Sequence, residues 1–506
     1  MPVSPMHRGL ERAAERFGDR AAVLAGDRSW SFAELDRTAG SLAAHLASRG
    51  VGAGDRVVVL MANRVEFVVS VEAISKLGAA AVLVSPAWKS LEVGQALALA
   101  HPLHAVADAE GVSVLSGLLA PDRVTDVDDE AVEAELARST PAPRSAEPAG
   151  DAESVLVFSS GTTGLPKAVR HTHDSIGHAT AHWCAALGLG AEDRFQVATP
   201  PSHILGLLNL LAALSAGATV RLHRRFDLDV VLSCIERDRM TLEMAVAPIA
   251  LAMANHPHLE RYDLSSLRYI MWGATPVTAH VAERVTARTG VRFLPAYGAS
   301  ELPVIAANPV DRPDQWRLDS AGLAPVGVEL RVADIDTGAV LPPGGIGEIQ
   351  VRSPSRMAGY LPDSDTAEAL ADGWYRTGDV GWLEPEGWVH LTDRLKEMIK
   401  VNGFQVAPAE IEAVLHTHRA VLDCAVFGIA DERAGEVPVA AVQLDPGVPV
   451  ADGELQRLVA DTLAGYKQLR YVLVVDAVPR LPSGKVLRRT LRDEWAPALV
   501  SAEAGT

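Results

Sequence analysis

The chain has 506 residues, more than one hydrophobic core usually serves, so we expect at least two domains. Its 46 Lys and Arg residues against 64 Asp and Glu residues give a net charge of −18, which disfavours nucleic acid and anionic membrane surfaces as partners. Three widely spaced cysteines, Cys184, Cys234 and Cys424, suit a reducing compartment, and we expect a cytoplasmic location.

The first three hundred residues alternate short runs rich in Val, Leu and Ala with longer amphipathic segments, which is typical of an α/β sheet covered by helices. Residues 56–61 predict a strand, residues 65–77 the helix that follows, and residues 79–84 the next strand. The apolar stretch 205–220 is too short to span a bilayer and predicts a buried core helix.

The pattern changes at three places along the chain. Residues 137–151, rich in Pro, Ala, Ser and charge, predict an exposed linker, and the Gly/Pro-punctuated residues 322–393 predict a β-rich subdomain. Beyond them, helices are predicted at 408–415 and 455–463 and strands at 421–429, 438–444 and 471–475. We therefore assign residues 1–393 to a large N-terminal domain and 394–506 to a small α+β domain.

The segment 159–167, SSGTTGLPK, directly follows a strand-like run. Its glycines let the backbone curl so that N–H groups point inward, while hydroxyls and one Lys surround the same space with donors. Such a loop suits the phosphates of a nucleotide although it lacks Walker A spacing; a turn that merely connects two elements is the alternative. The expected phosphate-binding residues are Ser159, Ser160, Gly161, Thr162, Thr163, Gly164 and Lys167.

This segment resembles the signature of the adenylate-forming superfamily, which contains acyl-CoA synthetases, peptide-synthetase adenylation domains and luciferases. The resemblance implies stacked α/β subdomains with a β-rich subdomain, followed by a mobile C-terminal domain. It also implies that the loop handles the β- and γ-phosphates of ATP, with Thr162 and Glu301 as ligands of Mg²⁺. The chain departs from the usual pattern at Ala168, where relatives commonly have Gly.

Two small-residue turns, WGATP at 272–276 and YGASE at 297–301, end apolar runs at places where α/β proteins bind ligands. Small residues admit a flat base, Tyr297 can stack on it, and Glu301 can hold Mg²⁺ on the phosphates. The resemblance makes these turns the adenine wall and the metal-binding acid. The expected nucleotide contacts are Gly273, Ala274, Thr275, Tyr297, Gly298 and Ser300.

The run YRTGD at 375–379 ends in Asp379, whose carboxylate can accept hydrogen bonds from two ribose hydroxyls. A surface turn is the alternative, since TGD is ordinary turn chemistry. Arg394 follows soon after, and its guanidinium can reach the same sugar. The segments that resemble the adenylate-forming superfamily occur in the order expected for it, which favours membership of that superfamily.

Residues 393–404, DRLKEMIKVNGF, lie where the composition marks the joint between domains. The resemblance implies that the small domain swings between a pose for adenylation and a pose for thioester formation, with Lys396 at the hinge. Gly403 would approach the thiol tunnel in the second pose. A charged hinge side chain fits because a buried apolar one would resist exposure in either pose; a solvated helix face is the alternative.

Near the end of the chain, residues 479–489 read PRLPSGKVLRR. Attack of a carboxylate on the α-phosphorus brings two anions together, so a positioned ammonium that touches both is the expected electrostatic catalyst. Lys485 is the candidate for this role, and an exposed Lys that only aids solubility is the alternative. The resemblance runs from about residue 20 to about residue 492 and favours the catalytic role.

Further motifs concern the acid and the acceptor. The stretch PPSHILG at 200–206 resembles the region of aryl and acyl-CoA ligases that borders the carboxylate, so His203 is expected to orient the acid or gate its tunnel; a core histidine is the alternative. MAGY at 357–360 and GFQVAPAE at 403–410 resemble 4-coumarate and medium-chain acyl-CoA ligases, which implies CoA and an aryl or acyl acid. The sequence after Glu301 is one residue shorter than the plant-type pattern.

Three other hypotheses remain. The acyl group can pass to a carrier-protein thiol or to another nucleophile, as in relatives that include nitrite-activating enzymes. A non-catalytic nucleotide-binding relative is the second, and a zinc site at His178 and His182 is the third; no further zinc ligand is evident, and we expect no zinc. The identity of the acid and a homodimeric state stay open.

Overall fold

The computed structural model describes residues 5–143, 147–159, 167–273, 278–431, 433–481 and 484–504, and every structural feature named below belongs to these ranges. They form four β-sheets with helices packed against them. The predicted α/β class with a large N-terminal and a small C-terminal domain is confirmed.

Short strands occur along the whole length of the chain. The first are β1 (Ala21–Ala25), β2 (Arg28–Ser31), β3 (Arg56–Leu60), β4 (Ala80–Leu83), β5 (His104–Ala107), β6 (Val124–Asp126), β7 (Glu153–Ser159) and β8 (Lys167–Thr172). The next are β9 (Arg194–Val197), β10 (Thr219–Leu222), β11 (Leu242–Ala245), β12 (Tyr269–Trp272), β13 (Phe293–Tyr297), β14 (Ala306–Ala307), β15 (Glu329–Ala333) and β16 (Gly347–Arg352). The last are β17 (Gly359–Leu361), β18 (Leu370–Ala371), β19 (Trp374–Leu383), β20 (Val389–Arg394), β21 (Ile399–Val401), β22 (Phe404–Val406), β23 (Val421–Asp431), β24 (Gly435–Leu444) and β25 (Tyr471–Val474).

Helices connect many of these strands. Those of the first half are α1 (Arg8–Phe17), α2 (Phe32–Ser48), α3 (Val65–Lys76), α4 (Ser90–Ala100), α5 (Ala109–Leu115), α6 (Glu130–Leu136), α7 (His173–Leu187) and α8 (Ile204–Ala216). Those of the second half are α9 (Leu228–Asp238), α10 (Ala247–Asn255), α11 (Ala279–Thr289), α12 (Thr366–Ala369), α13 (Pro408–Leu415), α14 (Glu454–Thr462) and α15 (Arg488–Ala504). Within the described ranges every helix is too short or too polar to cross a bilayer.

Several helices begin where a short polar side chain accepts a hydrogen bond from the first turn. Ser31 caps α2, Asp108 caps α5, Thr172 caps α7 and Asp227 caps α9. Each side-chain oxygen satisfies a backbone N–H that the helix itself leaves without a partner. These caps fix where the chain turns from strand to helix.

Two sheets form the body of the N-terminal domain. The first has the order β14-β13-β12-β11-β9-β10-β1-β2 and the second the order β17-β8-β7-β4-β3-β5-β6. The strands from β13 to β1 in the first sheet and from β7 to β6 in the second are parallel. Strands β3 and β4 are buried on both faces, which explains their runs of Val, Ala and Leu. One hydrophobic core, which includes residues of α2, α3 and α8, joins the facing sides of the two sheets.

The outer faces of these sheets have cores of their own. Helices α9, α10 and α11 cover the first sheet, and α4 and α5 cover the second. The predicted core helix at 205–220 is confirmed as α8, whose leucines Leu207, Leu208 and Leu210 are buried. The N-terminal domain is therefore a stack of alternating helical and sheet layers.

The third sheet, in the order β15-β16-β19-β18 with β20 also paired to β19, is antiparallel. It corresponds to the predicted β-rich part. The fourth sheet, β22-β21-β24-β23 with β25 beside β24, carries α13 and α14 on one face and α15 on the other. Four points stay predictions: the linker at 137–151, the start of the β-rich subdomain at 322, the domain boundary at 393 and the mobility of the C-terminal domain.

Candidate active site

Two of the predicted nucleotide residues, Gly273 and Tyr297, lie at the carboxyl ends of neighbouring parallel strands. Strand β12 ends just before Gly273, and β13, its parallel neighbour, ends at Tyr297. Ligands of open α/β sheets bind at this edge because the chain leaves the strands there and opens a crevice. The sheet thus places Gly273 and Tyr297 at neighbouring strand ends.

Glycine at these strand ends is required by close packing. A Cβ atom at Gly298 would lie 2.1 Å from the carbonyl oxygen of Pro303, and one at Gly273 would lie 2.7 Å from the Met244 Cε. The first contact is with backbone, so it has little room to adjust. Gly298 therefore lets the loop that contains Glu301 fold back against the end of β13.

Tyr297 forms a contact that the sequence does not reveal. Its hydroxyl donates a hydrogen bond to Oδ2 of Asp379 at 2.5 Å, and both residues are 8% exposed. Burial raises the pKa of the Tyr297 hydroxyl well above its ordinary value and also raises the pKa of the Asp379 carboxyl. The two residues belong to different sheets, so this hydrogen bond connects β13 to β19.

Arg394 completes this group. It faces Asp379 in the register of β19 and β20, and its Nε lies 3.2 Å from Oδ1 of that carboxylate. A carboxylate has about four acceptor positions, so one hydrogen bond and one ion pair leave capacity for hydroxyl donors. The half-exposed guanidinium of Arg394 lies beside this carboxylate. Asp379 and Arg394, both predicted to reach the ribose, thus lie next to each other in the structure.

Glu301 is held by two groups. Its Oε1 accepts a hydrogen bond from the Tyr360 hydroxyl at 2.8 Å, and its backbone carbonyl accepts one from the Met357 N–H at 2.8 Å. Among the described residues no cluster of three or more His, Cys, Asp or Glu side chains could hold a metal ion alone. A single carboxylate fits Mg²⁺ that is held mainly by phosphate oxygens and water.

His171 is a supporting residue that the sequence interpretation missed. It is fully buried on β8, and its Nε2 donates a hydrogen bond to the carbonyl oxygen of Ser300 at 2.8 Å. Burial lowers the pKa of His171 to about 4, so the ring is neutral at physiological pH. The structure places this neutral ring against the Ser300–Glu301 turn.

The phosphate loop is described at its two ends. Ser159 ends β7, and Lys167 begins β8 as its register partner. Ser160, Gly161, Thr162, Thr163, Gly164, Ala274 and Thr275 lie outside the described residues. The ammonium of Lys167 pairs with the Asp365 carboxylate and lies 5.8 Å from the ring centroid of Tyr360, so it is beside the Glu301 group.

Lys485 reaches this region from the other end of the chain. Its Nζ lies 3.7 Å from Oε1 of Glu397. Burial lowers the pKa of Lys485, the positive charge of Arg394 lowers it further, and the charge of Asp379 opposes both effects. The ammonium is therefore near enough to the Asp379–Arg394 pair to interact with it electrostatically. This is the arrangement that an ammonium of the C-terminal domain needs in order to act on a nucleotide bound there.

The two predicted hinge-region residues have different surroundings. Lys396 is exposed and adds to the lowering of the pKa of Asp365, an effect that comes first from Lys167. Gly403 lies in the exposed turn between β21 and β22, where Asn402 and Gly403 have φ angles of 50° and 83°. Two successive positive φ angles are typical of a tight hairpin, which explains the Asn-Gly pair.

His203 precedes the first residue of α8 and is half-buried. Burial lowers its pKa, so the imidazole is neutral near pH 7. The segment around it is closely packed, since a Cβ atom at Gly206 would lie 2.2 Å from the Pro200 carbonyl oxygen. The structure brings Lys167, Tyr297, Glu301, Asp379, Arg394 and Lys485 to one region; the role of His203 stays a prediction.

The comparisons with known proteins agree with this geometry. A family model described as AMP-binding enzyme matches residues 10–361, and another described as AMP-binding enzyme C-terminal domain matches residues 410–485. The chain is 35% identical over 515 residues to 4-coumarate–CoA ligase 5 of Oryza sativa subsp. japonica, with 98% of this chain and 95% of the rice protein covered. It is 34% identical over 507 residues to the 4-coumarate–CoA ligase of Pinus taeda, with 96% and 94% covered.

Solved structures share the fold over nearly the whole chain. The anthranilate CoA ligase AuaEII in complex with anthranoyl-AMP has a TM-score of 0.91 at 26% identity, with 99% of both chains covered. The amide bond synthetase McbA from Marinactinospora thermotolerans has a TM-score of 0.87 at 30% identity, with 97% of this chain and 100% of that chain covered.

Proposed function

This chain belongs to the AMP-binding enzyme family, and we propose that it uses ATP to join a carboxylic acid to CoA. In the first half-reaction a carboxylate oxygen attacks the α-phosphorus, the bond to the bridging oxygen breaks, and acyl-AMP and pyrophosphate form. In the second, the thiol sulfur attacks the acyl carbon, its proton is released, and AMP leaves. The products of the second step are acyl-CoA and AMP.

One observation supports this proposal most strongly: Lys485, 3.7 Å from Glu397, is near enough to the Asp379–Arg394 pair for their charges to interact. The attacking carboxylate and the α-phosphate are both anions, and negative charge gathers on the phosphate oxygens as the reaction proceeds. A positioned ammonium in a partly dehydrated cleft stabilises that charge better than water does. We assign Lys485 as the catalytic residue of the first half-reaction.

The surrounding residues bind the nucleotide. Asp379, held by Tyr297 and Arg394, would accept hydrogen bonds from the ribose hydroxyls. Lys167 would leave Asp365 to bind the β- and γ-phosphates, together with the loop residues Ser159, Ser160, Gly161, Thr162, Thr163 and Gly164. The adenine wall would consist of Gly273, Ala274, Thr275, Tyr297, Gly298 and Ser300.

Mg²⁺ would be held by Glu301, with Thr162 as a further ligand. When bound, the ion neutralises phosphate charge and favours the departure of pyrophosphate. Tyr360 orients the Glu301 carboxylate through Oε1, and His171 fixes the backbone of the same turn through Ser300. These two residues prepare the position of the carboxylate before any ligand arrives.

The second half-reaction would require the C-terminal domain to turn about Lys396. The exposed ammonium of this side chain would stay in water throughout, so the rotation would not force a charge into a dry environment. The turn at Gly403, already exposed, would then approach the pantetheine thiol of CoA. The absence of a side chain there would let the thiol pass close to the backbone.

We assign an aryl or medium-chain acyl acid as the substrate class. The names of the relatives, 4-coumarate–CoA ligase and anthranilate CoA ligase, favour an aryl acid. His203, neutral because its pKa is lowered by burial, would offer the carboxylate a hydrogen bond without trapping it in a strong ion pair. The free thiols of Cys184, Cys234 and Cys424 support a cytoplasmic location.

The test is acid-dependent exchange of labelled pyrophosphate into ATP, first with 4-coumarate and then with a panel of aryl and medium-chain acids screened by hydroxylamine trapping. Lys485→Ala should abolish most of the exchange. Lys467→Ala is the matched control, since Lys467 pairs with Glu410 in the same domain. Unchanged exchange in Lys485→Ala would refute the mechanism.

The acceptor is tested separately. CoA should accelerate AMP release from the wild-type protein and yield a thioester. AMP release that ignores CoA would instead indicate a carrier-protein thiol or another nucleophile, nitrite included. Gel filtration at assay concentration would determine whether the protein is a homodimer.

A further inference from the structure

Glu397 is the acidic side chain that contacts Lys485. Its Oε1 lies 3.7 Å from the lysine Nζ, and the side chain is 20% exposed. It follows the predicted hinge residue Lys396 directly, and its N–H donates a hydrogen bond to the carbonyl oxygen of Arg394 at 2.9 Å. The hinge segment therefore extends a carboxylate towards the catalytic ammonium.

The other oxygen of this carboxylate is fixed by Arg488. Glu397 Oε2 accepts a hydrogen bond from Arg488 Nη1 at 2.5 Å, while Nη2 of the same guanidinium donates to Glu412 at 2.6 Å. Its Nε donates to the Val426 carbonyl oxygen at 2.8 Å. Arg488 thus connects the hinge segment, α13 and β23. Because a planar guanidinium with three such partners cannot turn freely, the Glu397 carboxylate has a fixed direction.

The other charges around Lys485 show why the Glu397 carboxylate matters for keeping the lysine protonated. Arg394 on β20 and Arg488 on α15 disfavour the ammonium, and partial burial disfavours it as well. Glu397 and Asp379 are the carboxylates that oppose these effects. Asp379 belongs to the nucleotide site of the N-terminal domain, whereas Glu397 lies after Lys396 in sequence and would move with Lys485.

We propose that Glu397 is a positioning residue that keeps Lys485 charged and directed at the α-phosphate during adenylation. This role rests on the proposed function of the site. Since Glu397, Lys485 and Arg488 all follow Lys396, rotation about the hinge carries them together. Their contribution is therefore confined to the first half-reaction, when the domain holds them against the nucleotide.

The experiment measures pyrophosphate exchange against pH for the full-length Glu397→Gln variant, with the acid that works best for the wild type. A neutral amide no longer favours the ammonium, so the basic limb of the pH profile should move to lower pH. At about pH 9 the exchange rate should fall by about 10- to 100-fold, and at about pH 7 by much less. Transfer to CoA from chemically prepared acyl-adenylate should keep its wild-type rate.

Two further variants separate positioning from simple folding. Glu397→Asp keeps the charge and should restore the basic limb, and Glu410→Gln, which breaks the Lys467–Glu410 pair in the same domain, should match the wild type. Because the exchange rates at two pH values are compared within one variant, a smaller amount of folded protein lowers both rates and leaves their ratio unchanged. An unshifted basic limb in Glu397→Gln, or an equal loss at every pH, would overturn the proposal. Unchanged exchange in Lys485→Ala would instead reject the underlying function.

Discussion

The hydrogen bond between Tyr297 and Asp379 gives a sharp test of the nucleotide site. Tyr297→Phe removes one hydroxyl and leaves the ring that we propose as part of the adenine wall. The lost contact is a 2.5 Å hydrogen bond to a buried carboxylate that also pairs with Arg394. The variant should therefore fold, bind ATP less tightly and become more sensitive to acid.

The size of the effect follows from the charge of the acceptor. A hydrogen bond to a charged group contributes about 1.5–3 kcal/mol, and because this one is made with and without ATP, its loss should lower the stability of the protein by that amount. The Asp379 carboxylate then loses its fixed direction, and such misplacement should raise the KM for ATP by about 10- to 100-fold. Burial already raises the pKa of Asp379, and the Tyr297 hydroxyl opposes this by favouring the charged form. Its removal raises that pKa further, so Asp379 becomes neutral at a higher pH and ATP binding weakens earlier on acidification.

The assay is the KM for ATP in pyrophosphate exchange, measured at several pH values from weakly acidic to neutral. Tyr269→Phe is a matched control because the Tyr269 hydroxyl, also buried, donates to the Leu187 carbonyl oxygen at 2.5 Å. That change should lower the melting temperature and leave the KM unaltered. An equal KM and an unshifted acid limb in Tyr297→Phe would refute the assigned role of Asp379.

Three further predictions concern other parts of the N-terminal domain. Gly298→Ala places a methyl group 2.1 Å from the Pro303 carbonyl oxygen, so it should cost about 1–3 kcal/mol of stability and about 100-fold in exchange, measured by thermal melting and by the exchange assay. Tyr360→Phe frees the Glu301 carboxylate and should raise the Mg²⁺ concentration for half-maximal exchange about tenfold. Burial raises the pKa of Glu243 to about 8. Because the folded protein holds this proton more tightly than the unfolded chain does, the neutral acid contributes its full stability below its ordinary pKa. That contribution is lost as the pH rises from there through about 8. Glu243→Gln should flatten that decline in thermal melts across the same range.

Each of these predictions has a control or a contradicting result. For the glycine, Gly190→Ala adds a methyl group whose nearest described neighbour lies 4.0 Å away, and it should be silent. Unchanged Mg²⁺ dependence in Tyr360→Phe would show that the tyrosine does not orient Glu301. A melting temperature that falls between about pH 4.5 and pH 8 as steeply in Glu243→Gln as in the wild type would contradict the burial argument.

Much of the fold could be predicted from sequence because its strands are buried on both faces. The run at 56–61 became β3, the run at 79–84 became β4, and the C-terminal elements predicted at 408–415 and 421–429 became α13 and β23. Their limits differ by at most two residues, since Gly, Pro and capping residues mark most of the ends. Local patterns carry this information without any knowledge of tertiary contacts.

The contacts within the site could not be predicted in the same way. Sequence motifs indicated Tyr297 and Asp379 but not their hydrogen bond, because side-chain direction depends on how β13 and the third sheet pack. His171 donates a hydrogen bond to a carbonyl oxygen 129 residues away along the chain. Glu397 contacts Lys485 only once the C-terminal domain has folded. Such supporting residues have no motif of their own, since many side chains could fill the same role.

The most direct test of the catalytic assignment is a crystal structure with a non-hydrolysable acyl-sulfamoyl adenosine, whose sulfamoyl group stands in for the α-phosphate. We predict that the ribose hydroxyls bind Asp379 and that Lys485 Nζ lies within hydrogen-bonding distance of the sulfamoyl oxygens or the acyl carbonyl. If the C-terminal domain keeps Lys485 beside Glu397 and the Asp379–Arg394 pair, yet the ammonium points away from the sulfamoyl group, the catalytic role assigned to Lys485 is wrong.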